Sequence, residues 1–82
     1  MTRDQIGDTI RRYLESSLRV RGFQDDDDLF TTGWVNSLQG AQLTAFVERS
    51  FSIAISPGDR ARLRTLNAIV DYVHRTVGVI SR

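Results

Sequence analysis

Apolar residues recur along this chain at helix spacing, and that pattern constrains the fold more than any other feature. Ile6, Ile10, Tyr13, Leu14 and Leu18 follow at steps of four, three, one and four, which puts them on one face of a 3.6-residue helix. Leu43, Phe46, Val47 and Phe51 repeat the pattern, and so do Leu66, Ile69, Val70, Val73 and Val77. Asp4 and Asp8 near the start of the first segment, with Arg11, Arg12 and Arg19 further on, suit the helix dipole. Gly22 is expected to close the first helix and Gly78 the last.

Between the first two stripes lies a connection of fourteen residues, 23 to 36. A loop that long in a small domain is either functional or pinned by its own side chains. Leu29 and Phe30 are the expected pins, and Gly33 supplies a positive φ where the chain must turn. Asn36 is a good N-cap for a second helix starting at Ser37. Ile53-Ala54-Ile55 reads as a brief extended link. Ser56-Pro57-Gly58-Asp59 is a helix-start signal: serine caps, proline fits the first position and aspartate suits the third. That helix must be short, because Thr65 is placed to cap another. The expected fold is therefore all-α: a small four-helix bundle, three longer helices plus a short third, with a long first loop, forming one domain over residues 1–82.

Composition excludes several classes. A chain of 82 residues, 40% hydrophobic and 26% charged, holds one modest core. A net charge of +1 gives no general attraction to nucleic acid or anionic membranes. No apolar run approaches the ~20 residues of a membrane span, and the polar amphipathic start does not read as a signal peptide. With no cysteine there is no disulfide or thiolate metal site, and a reducing cytoplasm suits the chain. The run Asp25–Asp28 fails the calcium-loop pattern, which needs alternating ligands, a glycine at position six and a glutamate at twelve; it is expected to be a solvated acidic loop. Arg60, Arg62 and Arg64 make a local basic cluster without a nucleic-acid recognition face, expected to be solvated or to dock an acidic patch on a partner.

Ser37 is the residue left to explain. A serine nucleophile needs a base and an orienting group, or a lysine. The chain has no lysine, and its one histidine, His74, falls in the last helix on a polar face, so no enzyme of its own is expected. A first-turn serine lies where free N–H groups and the helix dipole favour an attached phosphate. It needs no activation if another enzyme supplies the base and metal. Local physics leaves two readings side by side: Ser37 is a substrate for modification, or it merely helps cap the helix within an unmodified interaction domain.

The surrounding residues resemble the acyl carrier protein family. That family carries D-S-L at the start of its second helix; here it reads Asn36-Ser37-Leu38. DDLFTTG resembles the family's preceding loop. Leu43, Phe46-Val47-Glu48 and Phe51 fall at its second-helix positions, Ile55-Ser56-Pro57 at the entry to its third helix, and Thr65-Leu66 with Asp71-Tyr72-Val73 in its fourth. The resemblance covers essentially the whole chain. It implies a 4'-phosphopantetheine arm on Ser37, carrying an acyl or aminoacyl group as a thioester. It implies three kinds of partner: a phosphopantetheinyl transferase, a loading enzyme (an adenylating ligase or an acyltransferase), and a polyketide synthase or peptide synthetase. Trp34, Val35, Asn36, Leu38, Ala41, Ala45 and Glu48 are the expected partner contacts. Asn36 replaces the usual aspartate, and positions that are often acidic are here Gln39, Gln42 and Arg49. G-W-V-N-S is one residue longer between glycine and serine than the fatty-acid type. It resembles free-standing carriers of specialised pathways that hold an unusual extender unit or an amino acid. Arginine without lysine suggests a GC-rich bacterial genome. A cytoplasmic monomer is expected.

Overall fold

A computed structural model describes residues 2–80, with side chains described through residue 78. It contains four helices and no strand among the described residues: α1 (Arg3–Ser16), α2 (Ser37–Phe51), α3 (Pro57–Arg60) and α4 (Leu66–Ile80). α1 starts on a reciprocal capping box: Thr2 Oγ1 accepts the Gln5 N–H at 3.1 Å, and Gln5 Oε1 accepts the Thr2 N–H at 2.8 Å. Its apolar face, Ile6, Ile10 and Leu14, is fully buried and packs chiefly on α4.

The helix ends do not all fall where glycines suggest. α1 ends at Ser16, six residues before Gly22. Arg19 then adopts φ 59°, and the chain turns so that the Val20 N–H reaches the Leu14 carbonyl at 2.8 Å. Leu18 is buried although it lies beyond the helix. Gly78 does not stop α4, which runs through it without a positive φ; glycine ends a helix only when it turns left-handed, and otherwise costs about 1 kcal/mol in place. α2 closes on Ser52 at φ 55°, with the Ser52 N–H bonded to the Glu48 carbonyl. Ser56 caps α3 by accepting the Asp59 N–H at 3.2 Å, and Thr65 caps α4 by accepting the Ala68 N–H at 3.0 Å.

Among the described residues, seven of the seventeen buried apolar ones lie outside the helices: Leu18, Val20, Phe23, Leu29, Val35, Ile53 and Ile55. The long loop is thus part of the core. In the extended link Ile53 and Ile55 point inward while Ala54 faces out, the alternation an extended chain imposes. Phe46 is only half-buried; its ring stacks on Tyr13 with centroids 4.0 Å apart.

The aspartate run is solvated, with Asp25 and Asp26 exposed, but its carboxylates are also bonded. Asp25 pairs with Arg11 and Asp26 bonds the Asn67 side chain. Asp27 accepts the Gln24 N–H at 2.8 Å. Asp28 accepts the Thr31 N–H at 2.9 Å, the Phe30 N–H at 3.0 Å and Arg64 Nε at 2.7 Å. Each carboxylate fastens the loop to itself, to α1, to the first turn of α4 or to the segment leading into it. Backbone bonds complete the seam, from Leu29 N–H to the Arg64 carbonyl at 2.9 Å and from Asn67 N–H to the Asp25 carbonyl at 3.1 Å.

Candidate functional site

The loop is fastened so firmly because it delivers the chain to the start of α2. Gly33 turns at φ 85°, and the Val35 N–H then bonds the Leu29 carbonyl at 2.8 Å. That bond drives Val35 into the core, where it is 2% exposed. Val35 is therefore not a surface contact: its neighbour Trp34, 38% exposed, takes the outward position.

Asn36 caps α2. Its side-chain oxygen accepts the Gln39 N–H at 2.8 Å, and Gln39 Oε1 accepts the Asn36 N–H at 3.0 Å. Gln39, which from sequence is only a missing acid, is thus the second half of a capping box. Because Asn36 does the capping, Ser37 has none to do. Its hydroxyl is exposed at the first helical position and forms no hydrogen bond among the described residues. Leu38 beside it is 69% exposed.

Ala41 and Ala45 are exposed, so with Leu38 they form an apolar stripe of α2 that faces outward rather than into the core. Glu48 is different. It is half-buried, and its carboxylate accepts the Ile55 N–H at 2.9 Å, which ties the link after α2 back to the helix. It is not the free, solvent-facing charge that its place in the sequence suggests. His74 lies exposed on α4.

Two features were not legible in the sequence. The first is Gly40. The Phe30 ring lies over it so closely that a Cβ there would meet Phe30 Cε1 at 2.6 Å. The available signal was a glycine inside a helical pattern, which often marks a packing requirement. The second is a cavity of about 240 Å³ between α2 and the α3 segment. Ser37 opens one side of it, with Gly40, Ala41 and Thr44 following along α2. Leu63 and Ile69 stand opposite, and Arg60 and Arg64 are its charged lining.

A family profile described as the phosphopantetheine attachment site matches residues 8–73. That span contains α2, α3, the fastened loop and the cavity, and most of α1. Comparison with curated proteins and with solved structures gave no match. With most of the chain covered, the match settles the family: this protein belongs to the phosphopantetheine attachment site family, the carrier domains.

Proposed function

We propose that Ser37 is the attachment residue and that the protein carries an acyl or aminoacyl group for polyketide or nonribosomal peptide biosynthesis in a bacterial cytoplasm. The observation that carries this reading is the idle hydroxyl. Asn36 has taken over the capping, so Ser37 Oγ is exposed and unengaged at a helix start inside the family match. The attachment step uses it as acceptor. Its O–P bond forms as the diphosphate bond of coenzyme A breaks, 3',5'-adenosine bisphosphate leaves, and the hydroxyl proton passes to the transferase, which also supplies magnesium.

The residues present fit the group. The first-turn N–H groups that a helix start leaves open, with the helix dipole, favour an anion on Ser37. Once attached, the arm supplies the terminal thiol on which cargo rides as a thioester. Trp34, Leu38, Ala41 and Ala45 give partners an apolar face beside the serine. Gln39 and Gln42 leave this face without the acidic character of general fatty-acid carriers, which supports a dedicated set of partners.

Intact mass after incubation with coenzyme A, magnesium and a broad-specificity phosphopantetheinyl transferase tests the proposal. The wild type should gain a single phosphopantetheinyl group, and Ser37→Ala should stay folded and gain nothing. An Asn36→Asp variant restores the family's usual residue before the serine. If neither it nor the wild type gains mass while folded, the protein is an unmodified interaction domain and the proposal fails.

A further inference from the structure

Two arginines stand just past the end of α1 with nothing to neutralise them. Arg3, Arg11 and Arg64 pair with Asp71, Asp25 and Asp28. Arg19 and Arg21 are exposed and form no ion pair or side-chain hydrogen bond among the described residues. Leu18, Val20 and Phe23 are buried around them, so both arginines point outward. Arg19 also holds its backbone at φ 59°, where glycine would be unstrained. An arginine kept in a conformation that suits glycine points to a use for its side chain.

This stretch adjoins the start of α2. Gln39 Nε2 donates to the Leu18 carbonyl at 3.4 Å, and the tip of the Trp34 ring lies 3.9 Å from where a Cβ on Gly22 would stand. The arginines are thus set beside Trp34 and the first turn of α2, where Leu38 is exposed. No acid dilutes their charge. The sequence has none between Glu15 and Asp25, and residues 29–47 carry no charge of either sign. Glu15, the nearest acid before them, is half-buried and makes no ion pair with either, and Asp25 is taken by Arg11.

We propose that the end of α1 and the loop before α2 form a docking surface for a partner protein that presents carboxylates beside an apolar socket. Arg19 and Arg21 meet the carboxylates in charge-assisted hydrogen bonds, while Trp34 and Leu38 enter the socket. The inference deepens the proposed function. It rests on that reading for what the partner does, as an enzyme that works on the Ser37 arm, and it names the charge by which that enzyme docks. Nucleic acid would need a longer row of cations along its phosphates, and an anionic membrane a cluster of about four or more. Two arginines beside a tryptophan and a leucine suit a protein surface, where arginine and aromatic side chains carry much of the contact.

A synthetic helical peptide with leucines on one face and glutamates on the other, free of tryptophan, is titrated into labelled protein. A twin with glutamine for every glutamate is titrated beside it. Backbone amide shifts map the contact, and Trp34, the only tryptophan of the chain, reports affinity by fluorescence. The glutamate peptide should move the amides of residues 19–22, 34 and 38. It should bind about fivefold more tightly than its twin at low salt, the scale of two exposed ion pairs, and the preference should fade at about 1 M salt. Arg19→Gly/Arg21→Gln should bind both peptides alike, and it keeps its fold because glycine relieves the backbone at φ 59°. Arg19→Lys/Arg21→Lys keeps the charge and should keep most of the preference. Equal affinity of the two peptides for the wild type, or binding of neither, overturns the inference. So do shifts confined to the surroundings of Arg60 and Arg62, which would move the acid-binding face to α3. Single-stranded DNA and phosphatidylglycerol vesicles are titrated alongside. Displacement of the glutamate peptide by either would assign the surface to phosphate groups and overturn it as well. A missing phosphopantetheinyl mass gain on the wild type, with the peptide preference intact, would instead bring down the attachment reading and leave the docking surface standing.

Discussion

Placing a methyl group on Gly40 tests how the loop is held against α2. In an open helix interior, Gly→Ala gains about 1 kcal/mol, because alanine loses less backbone freedom on folding. Here the new Cβ would lie 2.6 Å from Phe30 Cε1 and 2.9 Å from Cζ. Carbon atoms rest at about 3.5 Å, so the ring must retreat by roughly 0.9 Å. The ring is half-buried against the core and sits beneath the Arg64 guanidinium. Forcing such a group aside costs about 1–3 kcal/mol. Taking the middle of that range against the propensity gain, Gly40→Ala should destabilise the protein by about 1 kcal/mol. The sharper expectation is a change of sign. With Phe30→Ala in place the obstacle is gone, and the same Gly40→Ala substitution should stabilise by about 1 kcal/mol. The cycle thus has a coupling of about 2 kcal/mol, within the range for residues in direct contact. Urea unfolding of the four proteins at constant m measures it. Gly40→Ala effects equal in sign and size in both backgrounds would refute the reasoning. Phe30 and Gly40 both line the cavity beside Ser37, so the same cycle reports on its wall.

Two further substitutions probe the fastenings. Arg64, with the N–H groups of Thr31 and Phe30, holds the Asp28 carboxyl well below the usual carboxylate range. Folding therefore favours its charged form, and the stabilisation is complete above the unfolded value near pH ~4 and is lost as pH falls toward the folded one. Asp28→Asn should melt earlier than wild type at pH 7, and the gap should narrow steadily below about pH 4; a constant gap across that window would show that the charge is not the source. Ser52 holds φ 55° where glycine would be unstrained, so Ser52→Gly should raise stability by up to about 1 kcal/mol, the left-handed penalty less the added chain entropy of glycine. A loss of stability in the same urea assay would instead assign the Ser52 side chain a role of its own.

The existence of the helices and the start of α2 could be read from the chain alone. Helical periodicity is local, so the stripes of α1, α2 and α4 could be read from neighbours three and four residues apart. Capping is local too, which is why Asn36, Ser56 and Thr65 were legible and why Ser37 stood out. Tertiary structure decided what depends on partners far along the chain. The aspartate run reads as a plain acidic surface loop, and only the fold brings Arg11, Asn67 and Arg64 from elsewhere to bond it. Val35 and Trp34 are adjacent apolar residues, and only the Val35–Leu29 backbone bond decides that one is core and the other surface. Glu48 looks free on a helix and is held by the Ile55 N–H seven residues on. Arg60 and Arg64 are two arginines of one cluster in sequence. One is committed to Asp28, thirty-six positions away, and the other is left facing the cavity beside Ser37. Local spacing says which face of an element a residue occupies; which charge remains uncompensated is settled only when the chain closes on itself.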